Sequence, residues 1–373
     1  MATLATMRVQ TVTFQSERAN LSHWRAFEAE IEAPGQGEAL IRIDHFALTA
    51  NNITYGVAGD TIGYWQFFPA EDPWGCIPVW GFGEVIESNH PDVPVGERLY
   101  GYYPMGTHLV IKPEKVSRGG LVDGAEHRAA LPPVYNQYTR VAADPSYDPA
   151  HEAEQMLYRP LFTTSFFLDD FLLENEFFGA GNVILTSASS KTSLGLAHLL
   201  HENRQDACRV IGLTSGGNRA FVEVLGCYDA VYTYEEIDQL PIEPSVMVDM
   251  AGSGPVRAAV HGRLVDSLKY SCAVGATHWD AATVGGGDQA LPGPRPEMFF
   301  APSQIQKRLA EWGQEKFNAM MAEAWQGFLT ASASWISVDA QRGMDALAAT
   351  YEAFLRGEAD PAKGYVVSLQ SGH

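Results

Sequence analysis

One turn in the middle of the chain collects hydroxyls and an ammonium: Ser187, Ala188, Ser189, Ser190, Lys191, Thr192 and Ser193. The apolar run "NVILT" leads into it and "SLGLAHLLHE" leads out. The first reads as a buried strand, the second as a helix with Leu194, Ala197, His198 and His201 at helical spacing. The turn therefore lies at a helix N-terminus, where unpartnered N–H groups and the helix dipole favour an anion. The hydroxyls of Ser189, Ser190, Thr192 and Ser193 could donate to its oxygens. Lys191 opposes the dipole and costs a few tenths of a kcal/mol there unless an anion reverses the sign. The same residues also read as a solvated helix cap that holds nothing.

A second group lies near the N-terminus. "ALTANNITYG" and "GDTIGYWQFFP", which read as a Gly-rich loop, carry Asn51, Asn52, Tyr55 and Tyr64 among aromatic and small residues. Each could hydrogen-bond a carbonyl or hand over a proton. Each could equally be packing. With "YNQYTR" these stretches suggest an aromatic wall suited to a flat or apolar small-molecule substrate. Metal chemistry is not expected. Cys76, Cys208, Cys227 and Cys272 are dispersed with no C-x-x-C pair, and His108, His127 and His278 stand alone. Dispersed cysteines point to reduced thiols and a cytoplasmic location.

The positioning elements follow two textures. Residues 1 to about 155 alternate in short runs such as "EALIRIDHFAL", "GFGEVIES", "GERLYGYY" and "HLVIKPEKV", which predict an antiparallel, barrel-like β region. Residues 156–332 alternate strand and helix. Strands are expected at 182–188, 208–215, 229–234, 245–252 and 269–276, with a further one near 296–302. Helices are expected at 191–204, 218–226, 255–264 and 302–329, the last broken at Gly313. Apolar strands separated by helices imply a parallel sheet covered on both faces. Residues 333–373 return to the first region as strand 333–338, helix 339–358 and strand 363–369. The stretch "DPSYDPAHEAEQ" at 144–155 reads as a solvated linker.

This order resembles the medium-chain dehydrogenase/reductase superfamily, and in it the zinc-free quinone and enoyl reductase branch. The resemblance covers nearly the whole chain. "VWGFGEVIESNHPDVPVGERLYGY" resembles its "G-x-V-x-x-x-G … V-G-D-R-V" segment. "NVILTSASSKTSLGLAHLL" stands where the family has "V-L-V-x-G-A-x-G-G-V-G". "NNITYG" and "LTSGGNRAFVEVLGCYDAVYTY" are also similar to a subfamily carried as a domain of unknown function. The resemblance implies an α/β protein: a GroES-like β-barrel-type catalytic domain with an inserted Rossmann doubly wound parallel-sheet domain. It also implies an NADPH-dependent, zinc-independent reductase of an activated C=C, a quinone or a carbonyl. The alternative is a non-catalytic homologue of the same fold.

Residue by residue, the turn at 187–193 becomes the pyrophosphate site, and Gly195 matches the glycine that lets helix and strand pack. Thr214, Ser215, Asn218 and Arg219 follow the second strand without an acid, which favours a 2′-phosphate and hence NADPH. Thr163 and Thr164, then Ala251 and Gly252, Gly275 and Ala276, and Phe299 and Phe300 match stretches lining the ribose and nicotinamide. Tyr64, Asn52 and Tyr55 become the candidate catalytic donors. A homodimer through the edge strand near residues 298–300 is the family's habit.

A net charge of −20 makes nucleic acid and anionic membrane surfaces unfavourable partners. No apolar run is long enough for a membrane span, and no signal peptide is visible in "MATLATMRVQTVTF".

Overall fold

The computed structural model describes residues 8–204, 206–274 and 291–370. They form two compact units. One is the chain up to Leu157 together with the chain from Val338 onward, and the other is Tyr158–Ser337.

The first unit is built on strands. In chain order they are β1 (Arg8–Glu17), β2 (Asn20–Glu32), β3 (Ala39–Leu48), β4 (Trp74–Gly75), β5 (Pro78–Ser88), β6 (Arg98–Pro104), β7 (His108–Ile111), β8 (Pro113–Glu114), β9 (Gly120–Asp123) and β10 (Gln137–Arg140). β1 and β2 form a long antiparallel hairpin, extended by β4 into a three-stranded sheet. The larger sheet runs β17-β18-β3-β5-β6-β10-β9-β8, with β7 also on β3; β17 (Ser337–Arg342) and β18 (Lys363–Ser368) come from the chain's end. β18 places Val366 opposite Ala47, so the last strand completes the first unit. Helix α9 (Met344–Leu355) packs Leu347, Ala348 and Tyr351 into the same core. Close approach demands glycine where β6 passes the tyrosine of β10: a Cβ on Gly101 would lie 2.3 Å from the Tyr138 ring.

Two expectations need correction here. The segment after β3 is not a loop but helix α1 (Ala50–Val57), followed by the short α2 (Gly59–Ile62). Asn52 makes the helix possible: its Oδ1 accepts from the Thr49 N–H at 2.8 Å and from the Thr49 hydroxyl at 3.0 Å. Such local side-chain caps satisfy donors that the helix cannot. Nor is the stretch 144–155 a solvated linker. Arg98 forks onto Glu152 with two bonds of 2.7 Å and also binds the Asp44 carboxylate. His45 lies 2.9 Å from Glu152, and the Tyr147 hydroxyl donates to it at 2.7 Å. Burial alone would raise the Glu152 pKa. The bonds from His45, Arg98 and Tyr147 outweigh burial and hold it down to about 2.

The second unit is the parallel one. Its strands are β11 (Asn182–Leu185), β12 (Arg209–Thr214), β13 (Ala230–Thr233), β14 (Ser245–Asp249), β15 (Leu268–Ala273) and β16 (Glu297–Met298), in the order β13-β12-β11-β14-β15-β16. All five pairings are parallel. Ile184 faces Ile211 on one side and Met247 on the other, a continuous apolar layer. Counted from β11, the order is the doubly wound dinucleotide arrangement, in which the topology reverses between the first and fourth strands. Helices α3 (Glu152–Glu174), α4 (Lys191–Arg204), α5 (Arg219–Val224), α6 (Gly254–Leu264), α7 (Ala301–Trp312) and α8 (Gln314–Ser332) belong to this part of the chain, α3 beginning in the first unit. α7 and α8 break at Gly313, whose φ of 76° lies outside the helical region.

The strand expected at 333–338 lies later, at Ser337–Arg342, and the following helix starts at Met344. Trp335 and Ile336 explain the shift. They pack against the core of the second unit, so pairing with β18 begins only beyond them. Among the described residues no helix is long and apolar enough to cross a membrane.

Candidate functional site

The hydroxyl-rich turn joins β11 to α4 at the carboxyl end of the sheet, beside the reversal between β11 and β14. Ligands of such sheets bind at that position. The backbone enters the turn through Ser187 at φ 50°. A left-handed non-glycine residue costs of the order of 1–3 kcal/mol and persists only where surroundings hold it. Here they do. The Ser187 N–H donates to the Tyr234 hydroxyl at 3.2 Å, and the Tyr228 hydroxyl donates to the Ala188 carbonyl at 2.8 Å. The Ala188 N–H reaches the Leu213 carbonyl of β12 at 2.9 Å. Two tyrosines and a neighbouring strand thus support a turn that lacks glycine.

The serines divide by role. Ser193 is fully buried, and its hydroxyl donates to the Thr186 carbonyl at 3.0 Å. It closes the strand-to-helix step and is not available to a ligand, contrary to the expectation for it. Ser190 caps the helix by accepting from the Ser193 N–H at 3.3 Å. Ser189 accepts from the Asn218 amide at 2.9 Å, which joins this turn to the loop after β12. Ser189, Ser190, Lys191 and Thr192 are half-buried, with part of their surface in solvent. The Lys191 Nζ lies 5.9 Å from the centre of the Tyr158 ring.

Gly195 does not serve the strand. A Cβ there would meet the Ser165 Oγ of α3 at 2.7 Å and its Cβ at 3.0 Å. The close approach is between α4 and α3, and Ser165 locks it by donating to the Thr192 carbonyl at 2.7 Å. Sequence reading passed over Ser165; its neighbour Thr164 is half-buried on the same helix.

Beside the turn, Thr186 and Asp249 close the ends of β11 and β14. The Thr186 hydroxyl donates to Asp249 Oδ1 at 2.9 Å and accepts from the Met250 and Ala251 N–H groups. Asp249 Oδ1 also accepts from the Gly252 N–H at 3.0 Å, while Arg257 donates to Oδ2 at 2.9 Å. The Ala251 and Gly252 N–H groups are therefore committed within the fold. Thr186 and Asp249 had no signal in the sequence beyond their positions at strand ends, and Arg257 none beyond its place in the first turn of α6.

After β12, Thr214 is buried and Ser215 exposed. Arg219 is already paired, with Glu223 at 2.7 Å and Glu236 at 2.8 Å. The sequence shows no acid directly after the strand, but the fold returns Glu236 to that place. Bonds from the Thr233 backbone and from Arg219 hold the Glu236 carboxyl below its ordinary pKa. Phe299 packs against Phe171 at 5.4 Å within the core, whereas Phe300 is 62% exposed. Gly275, Ala276 and His278 lie outside the described residues.

In the first unit, Tyr55, Tyr64, Tyr102, Tyr135 and Trp80 form one ring cluster. Tyr55 and Tyr64 lie 4.3 Å apart, Tyr102 and Tyr135 4.8 Å, Trp80 and Tyr102 5.0 Å. The Tyr64 and Tyr135 hydroxyls are 3.2 Å apart. Asn52 takes no part in this chemistry. Beyond its cap it donates from Nδ2 to the Pro78 carbonyl at 2.9 Å, so its polar atoms are occupied. Burial, reinforced by neighbouring phenols, pushes Tyr55, Tyr64 and Tyr102 well above the usual tyrosine pKa.

The sign of the resulting pH dependence is clear. A phenol whose pKa is raised on folding stabilises the fold below about pH 10 and loses that contribution as pH rises. On alkaline titration, tyrosinate absorbance from the cluster should appear together with unfolding. A reversible wave near pH ~10 that includes all 15 tyrosines, with the fold intact, would contradict this.

Among the described residues, no group of three or more histidine, cysteine or acidic side chains could hold a metal ion.

Comparison with solved structures defines the class of fold. The chain is similar to CurA from Vibrio vulnificus in complex with NADPH, at 14% identity and a TM-score of 0.59 over 98% of this chain and 100% of that one. It is similar to a putative NADPH:quinone reductase from Mesorhizobium loti, at 14% identity and a TM-score of 0.57 over 99% and 100%. It is also similar to the yhdH oxidoreductase from Salmonella enterica in complex with NADP, at 13% identity and a TM-score of 0.54 over 97% and 100%. The architecture is therefore the one these solved proteins share, a GroES-like β unit whose chain is interrupted by a Rossmann-type parallel-sheet unit. Residues 46–360 match the family described as protein of unknown function DUF2855, and the chain belongs to that family. No functionally curated protein matches it by sequence.

Proposed function

We propose that the protein is a zinc-independent, NADPH-dependent reductase of small molecules bearing an activated C=C, a quinone or a carbonyl. The observation that carries this is the position of the hydroxyl-rich turn: it opens α4 at the reversal point of a six-stranded parallel sheet. The fold shared with proteins solved with NADPH or NADP supports it.

The residues fit the cofactor unevenly, and that defines their roles. Half-buried Ser189, Ser190, Lys191 and Thr192 would hold the pyrophosphate. Ser193 and Gly195 hold the turn and the helix in place. Thr214, Ser215 and Asn218 would face the adenosine ribose, with Arg219 swinging from Glu236 to a 2′-phosphate. Thr164 would lie towards the nicotinamide. When bound, the cofactor would supply a hydride, and water would supply the proton that completes the reduction. Tyr64 and Tyr55 act as hydrogen-bond donors to the substrate, because their raised pKa keeps them protonated and makes them reluctant to part with the proton. A homodimer through the edge strand β16 and a cytoplasmic location belong to the same proposal.

Fluorescence titration with NADPH tests the reading. Saturable binding below about millimolar is expected; its absence would leave the alternative of a non-catalytic homologue. Lys191→Ala should weaken NADPH and NADH alike by about tenfold, the effect of losing one charge-assisted bond to the shared pyrophosphate. A loss confined to NADPH would move Lys191 to the 2′-phosphate. Tyr64→Phe should lower kcat about 100-fold while leaving cofactor affinity unchanged. Unchanged turnover would remove Tyr64 from the reaction.

A further inference from the structure

Arg219 is the cation that follows β12, where a Rossmann-type sheet reads the adenosine ribose. Its Nε donates to Glu223 at 2.7 Å, and its Nη1 donates to both Glu236 oxygens at 2.8 Å. The two acids differ in kind. Glu223 lies one turn further along α5, an ordinary i,i+4 pair. Glu236 comes from beyond β13, on the short helical turn Tyr234–Gln239. There it accepts the Thr233 N–H at 2.9 Å and closes a capping box. That cap and Arg219 hold its carboxyl below the usual range, so it is charged at neutral pH. Glu236 is thus fixed by its own backbone, whereas the Arg219 side chain, 39% exposed, has room to turn.

The neighbouring residue ties this pair to the hydroxyl-rich turn. Asn218 donates to the Ser189 hydroxyl at 2.9 Å. The loop that carries Arg219 therefore lies against the turn proposed for the pyrophosphate. A carboxylate and a phosphate ask the same of a guanidinium, two oxygens on one planar fork. Both cannot have it, and the two anions repel each other.

We propose that Glu236 is a built-in competitor of the cofactor's 2′-phosphate: it holds Arg219 in the free protein and so sets the preference between NADPH and NADH. The inference deepens the reductase reading and rests on it for the cofactor. What it adds is an acid of this chain that works against binding.

Fluorescence titration of the full chain with NADPH and NADH, and calorimetry with adenosine 2′-phosphate and adenosine 5′-phosphate, test it. Glu236→Gln removes the charge and keeps the cap, because an amide oxygen still accepts the Thr233 N–H. It should bind NADPH and adenosine 2′-phosphate about fivefold more tightly, the ceiling for an exposed ion pair. NADH and adenosine 5′-phosphate should bind as they do to the parent. Glu235→Gln removes the same charge from the exposed side chain next door and should change NADPH affinity less than about twofold. In an Arg219→Met background the gain from Glu236→Gln should vanish. Unchanged NADPH affinity in Glu236→Gln, an equal gain in Glu235→Gln, or a gain that survives Arg219→Met would overturn the proposal. So would weaker NADH binding in Glu236→Gln, which would make the acid a ribose ligand. Adenosine 2′-phosphate binding with the expected gain, but no saturable NADPH binding, would overturn the reductase reading and leave the competitor standing. Binding of neither would overturn both.

Discussion

Asp249→Ala should destabilise the second unit by about 3–5 kcal/mol, the cost of breaking a buried ion pair by removing one partner. Asp249 is 1% exposed at the end of β14. Its two oxygens serve Thr186, the Ala251 and Gly252 N–H groups and Arg257. Truncation leaves the Arg257 guanidinium, itself only 13% exposed, without its carboxylate. It also leaves the Gly252 N–H short of an acceptor, while the Ala251 N–H keeps only the Thr186 hydroxyl, and the orphan adds a desolvation cost. Urea unfolding followed by fluorescence would measure the loss. Arg257→Met should cost less, since Asp249 keeps its other three donors. The functional consequence runs through Thr186, which fixes the last residue before the hydroxyl-rich turn. Cofactor affinity should fall in Asp249→Asn even though Asp249 need not touch the cofactor. A stability loss below about 1 kcal/mol for the alanine variant would show that this network does not hold the sheet's reversal point.

Gly195→Ala should also destabilise, although alanine ordinarily favours a helix by about 1 kcal/mol over glycine. The added Cβ would lie 2.7 Å from the Ser165 Oγ, 3.0 Å from the Ser165 Cβ and 3.3 Å from the Phe162 ring. Phe162 and Ser165 are themselves buried, so neither can swing clear. Overpacking of this kind costs about 1–3 kcal/mol, enough to reverse the sign of the propensity gain. The Ser165–Thr192 bond would stretch with it and shift the start of α4, which carries Lys191. Weaker NADPH binding should therefore accompany the loss of stability. A double-mutant cycle with Ser165→Gly checks the cause: the two changes should be less costly together than their sum. Additivity would place the strain elsewhere.

What was legible in the chain follows from which interactions are local. The parallel unit announced itself because fully buried strands are continuous apolar runs, and "NVIL", "RVIGLT" and "SVMVD" became β11, β12 and β14. The break at Gly313 and the helix stop at Gly226 were legible because glycine adopts positive φ cheaply, at 76° and 73° here. The helix α1 was misread as loop, since its cap joins Thr49 and Asn52 through a side chain that looked catalytic. Arg219 looked like a free cation because its acid partner Glu236 is brought in by the fold after β13. Ser165, Thr186 and Asp249 were silent because their roles depend on neighbours far along the chain.

The sequence alone determined the two textures, the parallel sheet, the hydroxyl-rich turn at the start of a helix and the dispersal of metal-binding side chains, since each is written in local periodicity or composition. Only the tertiary structure decided which serines are buried in the fold and which keep surface in solvent, and what glycine 195 makes room for. Those are matters of contact between segments far apart in the chain, and contact depends on the closed path of the backbone, which no local pattern contains.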